Sequence, residues 1–259
     1  MLTSIEEIFE HLRSKSKKRL VAAWAVDDHT INAVRLAIEL GIVEGTLVGD
    51  ENMIKAVCEE EGIDPSIFNI VHNESELKSI AQAVDIINAG EGDILMKGLC
   101  STDKYMRAIL KKEGGLLPPK AVLSHLSVLK NENYHKCIIL GDMAVIPAPD
   151  LKQKEAITNY LVKAAKALGI ETPKVAFIAA TEQMLPGMQA CVDAAILSKM
   201  ADRGQIKGCV ADGPLALDVA ISQEAVAIKK LKSPVAGDAD CLVFPNIESA
   251  NVFYKVNSQ

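Results

Sequence analysis

The sequence lacks several features that would assign it to a functional class directly. Aromatic residues make up only 4% of the 259 residues, with a single tryptophan. No apolar run approaches the roughly 20 residues that a membrane span needs. The formal net charge of −6 argues against a protein that binds the nucleic-acid backbone in general. We therefore expect neither a nucleic-acid partner nor a membrane.

Metal and redox motifs are also missing. The six cysteines are widely separated and form no CxxC pair, so neither a zinc site nor a redox pair is predicted. The five histidines form no HExxH motif, and the absence of Gly-x-Ser-x-Gly disfavours a serine hydrolase. The N-terminal residues are typical of a helix rather than a signal peptide. We expect a reduced, cytoplasmic protein with no bound metal.

Strand-like and helix-like segments alternate along most of the chain. Hydrophobic residues make up 49% and charged residues 24%, which is ordinary for a soluble globular protein. The order predicts an α/β fold with mainly parallel sheets flanked by helices. The predicted strands are 19–26, 43–49, 68–71, 93–97, 121–129, 137–140, 175–179, 208–211 and 241–244.

The alternation breaks at the glycine- and proline-rich stretch 114–119. The two apolar runs that follow are joined by the short segment KNENYHK, which is too short for a parallel crossover, so we predict an antiparallel hairpin. We expect a lobe boundary here, with an N-terminal lobe at 1–130, a second lobe at 131–246 and a return of 247–259 to the first.

Five polar loops follow predicted strands, where an open parallel sheet binds its ligands. They are 97–102, 141–142, 180–182, 212–214 and 245–246. In the first, Lys97, Gly98 and Thr102 precede a helix start, an arrangement suited to phosphate. Helix capping by a hydroxyl group of this loop is the alternative. Arg107 lies one turn further on, where an ion pair with Asp103 is an equally simple role.

Two aspartates follow apolar strands and are candidate acid–base groups. Asp142 comes after Gly141, and Asp212 comes before Gly213 and Pro214. A turn-forming role explains Asp212 equally well. The residues alone thus indicate an α/β enzyme whose crevice suits a phosphorylated ligand.

Three motifs carry a resemblance to a known family. LMKGLCSTDKYMRAIL, KMADRGQIKGCVADGPLALDVAISQEAV and SPVAGDADCLVFPNIESANVFYK resemble the phosphate acyltransferases, and the phosphate butyryltransferases more than the phosphate acetyltransferases. The resemblance extends from about Lys97 to Lys255. It implies reversible transfer of a short-chain, butyryl-like acyl group between coenzyme A and inorganic phosphate.

The resemblance also implies a fold and a set of substrates. The family fold has two α/β lobes around a cleft, similar to isocitrate and isopropylmalate dehydrogenases, and we expect a homodimer. Acyl-CoA, phosphate and acyl phosphate are the implied partners. Coenzyme A acts as a substrate, and no permanently bound cofactor or metal is implied.

The implied site residues extend those found from the pattern. Lys97, Gly98, Thr102 and Arg107 match the positions that bind phosphate or acyl phosphate, and the Thr181 or Gly237 loops offer donors for a developing oxyanion. Other residues of the strand-end loops complete the predicted substrate-binding set: Glu182, Gly213, Pro214 and Asn246.

The family's C-terminal segment is expected beyond the end of this chain. Relatives continue past the equivalent of NVFYK to a Ser-Arg motif and a following Asp, thought to bind substrate and supply the base. Truncation and natural loss are both open, as is a non-catalytic acyl-CoA binder. A metal-dependent dehydrogenase ranks last, because no two aspartates stand four residues apart. Met184, Leu185 and Met188 could line an acyl pocket, although core packing is the simpler role.

Overall fold

The computed structural model describes residues 3–258 and divides into two compact units. The N-terminal unit is Phe9–Ala121, and the C-terminal unit comprises the chain from Val122 onward with the N-terminal residues up to Ile8. This division differs from the predicted boundary at residue 130 and from the predicted return of 247–259 to the first lobe. The outermost predicted lobe positions, Met1, Leu2 and Gln259, lie outside the described residues.

The N-terminal unit is built on a four-stranded parallel sheet of order β3-β2-β1-β4. After helix α1 (Ile5–Arg13), its strands are β1 (Lys18–Ala23), β2 (Val43–Gly49), β3 (Asn69–His72) and β4 (Ile94–Lys97). Its helices are α2 (Asp28–Glu39), α3 (Glu51–Glu60), α4 (Glu76–Asn88) and α5 (Thr102–Leu110).

Burial on both faces explains the continuous apolar run at residues 20–23 of β1. Leu20 and Ala22 belong to the hydrophobic core on one face of the sheet, and Val21 and Ala23 belong to the core on the other face. Side chains alternate between faces along a strand. A strand covered by helices on both sides therefore needs apolar residues at every position.

The C-terminal unit has a five-stranded sheet of order β5-β6-β9-β7-β8. Its strands are β5 (Leu126–Leu129), β6 (Ile138–Gly141), β7 (Lys174–Ile178), β8 (Val210–Leu215) and β9 (Cys241–Val243). β5 and β6 pair antiparallel, which confirms the predicted hairpin, and the other pairs are parallel. The helices are α6 (Leu151–Ala167), α7 (Gln189–Asp202), α8 (Leu217–Ile221), α9 (Gln223–Lys229) and α10 (Ile247–Asn257).

Packing explains why the lobe limits differ from the prediction. The segment just before residue 130 is β5, which pairs with β6 and so belongs to the second sheet. On α10, Phe253 packs against the core of the C-terminal unit, and Asn251 Nδ2 donates to the Met143 carbonyl oxygen at 3.0 Å. The last helix is therefore part of the C-terminal unit.

A network of charges holds the segment before β9. The Asp238 carboxylate accepts from Lys136 at 2.9 Å and Lys174 at 2.7 Å, and His135 Nε2 lies 2.8 Å from it. Buried Lys136 also pairs with Asp240 at 2.6 Å. Burial alone would raise the pKa of Asp238, but the bonds from Lys174, Lys136 and His135 outweigh it and hold the pKa well below its ordinary value.

This low pKa makes stability depend on pH in the acid range. Because the pKa of Asp238 in the folded state lies below the unfolded value of about 3.9, the carboxylate stabilises the fold fully above about pH 5 and progressively less as the pH falls below about 4. We expect Asp238→Asn to lower Tm at pH 6, with the difference from the unsubstituted chain shrinking towards pH 3. Thermal unfolding of both chains across this range measures it. A difference that stays constant with pH would contradict the prediction.

Candidate active site

Lys97 and Gly98 lie where β4 ends, at the carboxyl edge of the N-terminal sheet. The Gly98 N–H donates to the Ala23 carbonyl oxygen at 3.0 Å, and the Leu99 N–H donates to the Trp24 carbonyl oxygen at 3.0 Å. A Cβ at Gly98 would stand 2.4 Å from the Trp24 carbonyl oxygen. The loop needs glycine here because the crowding atoms belong to the backbone and cannot rotate away.

Thr102 begins α5 with an exposed side chain, just after Ser101. Ser101 is the N-cap residue but makes no capping bond through its hydroxyl. Its N–H donates instead to Oε1 of Glu76 at 3.0 Å, and Lys104 pairs with the same carboxylate. The Ser101 hydroxyl therefore does not cap α5, which was the alternative role considered for a hydroxyl group of this loop.

Arg107 makes the ion pair that the sequence offered as its simpler role. Its Nε lies 2.9 Å from Asp103 Oδ2, and its side chain is 80% exposed. An exposed pair of this spacing contributes only about 0.3–0.5 kcal/mol. If Arg107 left Asp103 to pair with a bound anion, the stability of the fold would therefore change little. Arg107 remains a candidate anion-binding residue beside Thr102.

Asp142 follows β6 as a buried, fully engaged carboxylate. Its Oδ1 accepts the N–H groups of Ala144 at 2.8 Å and Val145 at 2.9 Å, and its Oδ2 accepts that of Ile146 at 3.1 Å. Three backbone donors fix the side chain and use both oxygens. This geometry supports the turn after β6 and disfavours a role in proton transfer.

Thr181 and Glu182 lie in the loop after β7. The Gln183 N–H donates to Thr181 Oγ1 at 3.3 Å. Oε1 of Glu182 accepts from Lys229 Nζ at 3.0 Å and from the Ala216 N–H at 3.4 Å. The bond to Glu182 raises the pKa of Lys229. Glu182 thus ties the loop after β7 to the segment that follows β8.

The sequence predicts a strand-end loop at 212–214, and this prediction is wrong. β8 continues to Leu215, so Asp212 lies inside the strand. The reason is close packing: a Cβ at Gly213 would stand 2.7 Å from Phe177 Cβ, so only glycine lets β8 stay beside β7 here. Asp212 Oδ1 accepts the N–H of its neighbour Gly213 at 2.8 Å.

Gly237 lies on the amino side of β9, whereas Thr181 lies beyond the carboxyl end of β7. The Gly237 N–H donates to the Val219 carbonyl oxygen at 2.7 Å, and its φ of +73° favours glycine. The adjacent Asp238 bonds to Lys174, the first residue of β7. The structure therefore does not bring the Gly237 loop to the edge of the sheet that carries Thr181.

Asn246 follows β9 and caps α10 by accepting the Ser249 N–H at 3.0 Å. Together with Pro149 and Asp150, it borders a cavity of about 590 Å³. β6, β9 and β7 are neighbours in the sheet, and the carboxyl ends of parallel strands share one edge. The loops with Asp142, Thr181 and Asn246 therefore lie along the same edge, as the sequence predicts.

A buried ion pair in the wall of this cavity escaped the sequence analysis. Lys154 Nζ on α6 lies 2.6 Å from Asp193 Oδ2 on α7, and each side chain is only 7% exposed. Gln189 Nε2 donates to the other Asp193 oxygen at 2.8 Å. A helical lysine and a helical aspartate are ordinary surface residues in a sequence, so no pattern identifies their pairing.

Within residues 3–258, no group of three His, Cys, Asp or Glu side chains is placed to hold a metal ion. Across the same described part of the chain, no helix is both long and apolar enough to cross a bilayer.

Comparison with known proteins identifies the family. The family model described as phosphate acetyl/butaryl transferase matches residues 3–81 and 77–259. The chain is 44% identical to phosphate butyryltransferase of Clostridium acetobutylicum, over 98% of this chain and 84% of that protein. It is 41% identical to phosphate acetyltransferase of Thermotoga maritima, over 97% and 84%.

A solved structure agrees with the sequence comparison. The branched-chain phosphotransacylase of Enterococcus faecalis V583 matches with a TM-score of 0.80 and 28% identity, covering 93% of this chain and 84% of that one. Family match, sequence identity and fold all lead to the same assignment. The chain belongs to the phosphate acetyl/butaryl transferase family.

Proposed function

We propose that this chain transfers a short acyl group reversibly between coenzyme A and inorganic phosphate. The observation that carries the proposal is the 44% identity, over nearly the whole chain, to a phosphate butyryltransferase. The match to a branched-chain phosphotransacylase supports acyl transfer on this fold. These relatives favour turnover over a non-catalytic acyl-CoA binder and over a metal-dependent dehydrogenase.

The reaction exchanges one bond at the acyl carbonyl carbon. A phosphate oxygen attacks this carbon, a C–O bond forms, the C–S bond breaks, and coenzyme A leaves as a thiolate that takes up a proton. In reverse, the thiolate attacks the carbonyl of the acyl phosphate. A thiol with a pKa near 8.5 is only a few per cent ionised at neutral pH, so a base beside it raises the rate.

We assign phosphate to the end of the N-terminal unit that carries Lys97, Gly98, Thr102 and Arg107. The Ser101 N–H at the start of α5 already donates to Glu76. Phosphate binding therefore relies on the exposed side chains of Thr102 and Arg107 and on the ammonium group of Lys97, rather than on that N–H. Arginine suits this role because its guanidinium group can donate two parallel bonds to one phosphate.

Of the two predicted acid–base residues, Asp212 is the better candidate. Both oxygens of Asp142 are bonded to backbone N–H groups in a buried position. The bond from the Gly213 N–H engages Oδ1 of the half-buried Asp212 and not its Oδ2. Oδ2 is therefore the oxygen that we propose to exchange a proton with the thiol.

The direct test is thiol release from butyryl-CoA by the purified chain, measured with a thiol-reactive dye with and without phosphate. Phosphate-dependent release, with butyryl phosphate as co-product, supports the proposal. Binding of coenzyme A in calorimetry without release would overturn it in favour of a non-catalytic acyl-CoA binder.

Arg107→Ala is expected to raise the KM for phosphate at least tenfold, because removing a charge-assisted donor pair from an anion loses about 1.5–3 kcal/mol. Stability should change by less than about 0.5 kcal/mol, because the pair with Asp103 is exposed. Arg35→Ala is the matched control, since Arg35 pairs with Glu39 at the same spacing on α2. An unchanged KM in the Arg107 variant would remove Arg107 from the site.

The remaining expectations belong to the same proposal. We propose that the chain is a cytoplasmic homodimer and that its α/β fold is similar to that of isocitrate and isopropylmalate dehydrogenases. Six free thiols, five of them buried, suit a reducing compartment. Light scattering at micromolar concentration measures the oligomeric state, and a monomer there would contradict the dimer.

A further inference from the structure

An apolar pocket of about 330 Å³ lies on the loop and helix that follow β7. The loop contributes Met184, Leu185 and Pro186, and the first two turns of α7 contribute Val192, Ala195 and Ile196, with the thiol of a cysteine as the remaining lining group. None of these side chains carries a charge or a strong hydrogen-bonding group. The lining therefore suits a hydrocarbon group.

Exposure shows that three of the lining residues do not pack in the core, whereas the cysteine, Cys191, is fully buried. The side chains of Met184 and Ile196 are 64% and 41% exposed, and Leu185 is also exposed. Core packing was the simpler role for Met184, Leu185 and Met188, and the structure excludes it for the first two. Met188 occupies the N-cap position of α7 and does not line the pocket.

The loop that bears the pocket has a defined shape. The Leu185 N–H donates to the Gln183 carbonyl oxygen at 3.0 Å, and the Met188 N–H donates to the Leu185 carbonyl oxygen at 3.1 Å. Glu182 anchors the start of the loop to Lys229 at 3.0 Å. A preformed pocket loses little conformational entropy when it takes up a ligand.

We propose that this pocket receives the hydrocarbon end of the acyl chain of acyl-CoA and sets the chain-length preference, an inference that rests on the proposed acyl transfer. Thr181 stands three residues before Met184, at the carboxyl end of β7. Its Oγ1 accepts the Gln183 N–H, which leaves the hydroxyl proton to donate to the thioester carbonyl. In this arrangement the thioester carbonyl of acyl-CoA lies at Thr181 and its hydrocarbon chain lies over Met184 and Ile196. The polar residue and the apolar residues thus follow the order of polar and apolar groups in the acyl group.

The pocket predicts opposite effects for two substitutions. Each methylene group buried is worth roughly fourfold in affinity, so butyryl-CoA, with two more methylene groups, should bind roughly fifteenfold tighter than acetyl-CoA. Ala195→Phe fills the pocket and should remove this butyryl advantage. Ile196→Ala widens it and should shift the preference towards hexanoyl-CoA. Neither substitution should change the Kd of coenzyme A itself, measured by calorimetry.

Ile228→Ala is the matched control, because Ile228 is an exposed isoleucine (72%) on α9 and does not line the pocket. Calorimetry measures the binding of coenzyme A, acetyl-CoA, butyryl-CoA and hexanoyl-CoA to each variant. Thiol release is then measured with the same three acyl-CoA substrates. An unchanged chain-length order in both pocket variants, with coenzyme A still bound, would overturn the pocket and leave acyl transfer standing. Failure to bind coenzyme A or any acyl-CoA would overturn both. A lost dimer with an unchanged order would show that a second copy of the chain covers this surface instead.

Discussion

Asp193→Ala is expected to lower the free energy of unfolding by about 3–5 kcal/mol. The substitution leaves the Lys154 ammonium, only 7% exposed, without the carboxylate that lies 2.6 Å away. It also removes the acceptor of the Gln189 side chain. An unpaired buried charge loses its hydration and gains nothing in return. Urea unfolding of the two chains, followed by circular dichroism, measures the difference.

Two further variants separate the charge from the packing. In Lys154→Met with Asp193→Leu, apolar side chains of similar volume replace both charges, and most of the lost stability should return. Asp202→Ala breaks the exposed pair with Lys199 and should change stability by less than about 1 kcal/mol. If Asp193→Ala also changes the free energy of unfolding by less than about 1 kcal/mol, the prediction is wrong, because water must then hydrate Lys154 in the folded state. Thiol release by the folded double variant tests the neighbouring cavity, since retained activity makes the pair purely structural.

The sequence predicts the layers of this fold because burial imposes a strong pattern. Continuous apolar runs correctly indicated strands covered on both faces, and the short KNENYHK link correctly indicated an antiparallel pair. The ends of helices and strands are predicted less accurately, because capping hydrogen bonds of single side chains determine where a helix begins. The side chain of Asp27 accepts the Thr30 N–H and starts α2 at Asp28, before the first apolar residue of the helix, Ile31.

The candidate site was less visible in the sequence, for physical reasons. The Asp-Gly-Pro order at 212–214 is typical of a turn, yet the lack of a side chain at Gly213 lets β8 pack beside Phe177. Asp142 looks like a catalytic carboxylate, yet three backbone N–H groups hold it. The partner of a polar side chain depends on the tertiary structure, and one sequence does not record it. The Lys154–Asp193 pair is the clearest case.

Gly98→Ala is expected to destabilise the protein by about 3 kcal/mol and to abolish phosphate-dependent acyl transfer. The added methyl group would stand 2.4 Å from the Trp24 carbonyl oxygen and 2.7 Å from that of Ala23. Both atoms belong to the backbone, so relief requires the end of β4 to move, which places the effect at the upper end of the overpacking range. Movement breaks the bond from the Gly98 N–H to Ala23 and displaces Lys97 and the start of α5.

Measurements of both stability and activity distinguish a displaced phosphate loop in the Gly98 variant from a simple loss of folding. Gly187→Ala is the stability control, because a Cβ there meets no atom within 4 Å, and its Tm should stay the same or rise slightly. At a temperature well below its Tm, the Gly98 variant should remain folded by circular dichroism, yet its KM for phosphate should rise beyond measurement. A folded variant with normal phosphate kinetics would show that the Lys97–Gly98 loop does not hold phosphate. The ligand would then have to bind elsewhere, with Arg107 and Thr102 left in surface roles.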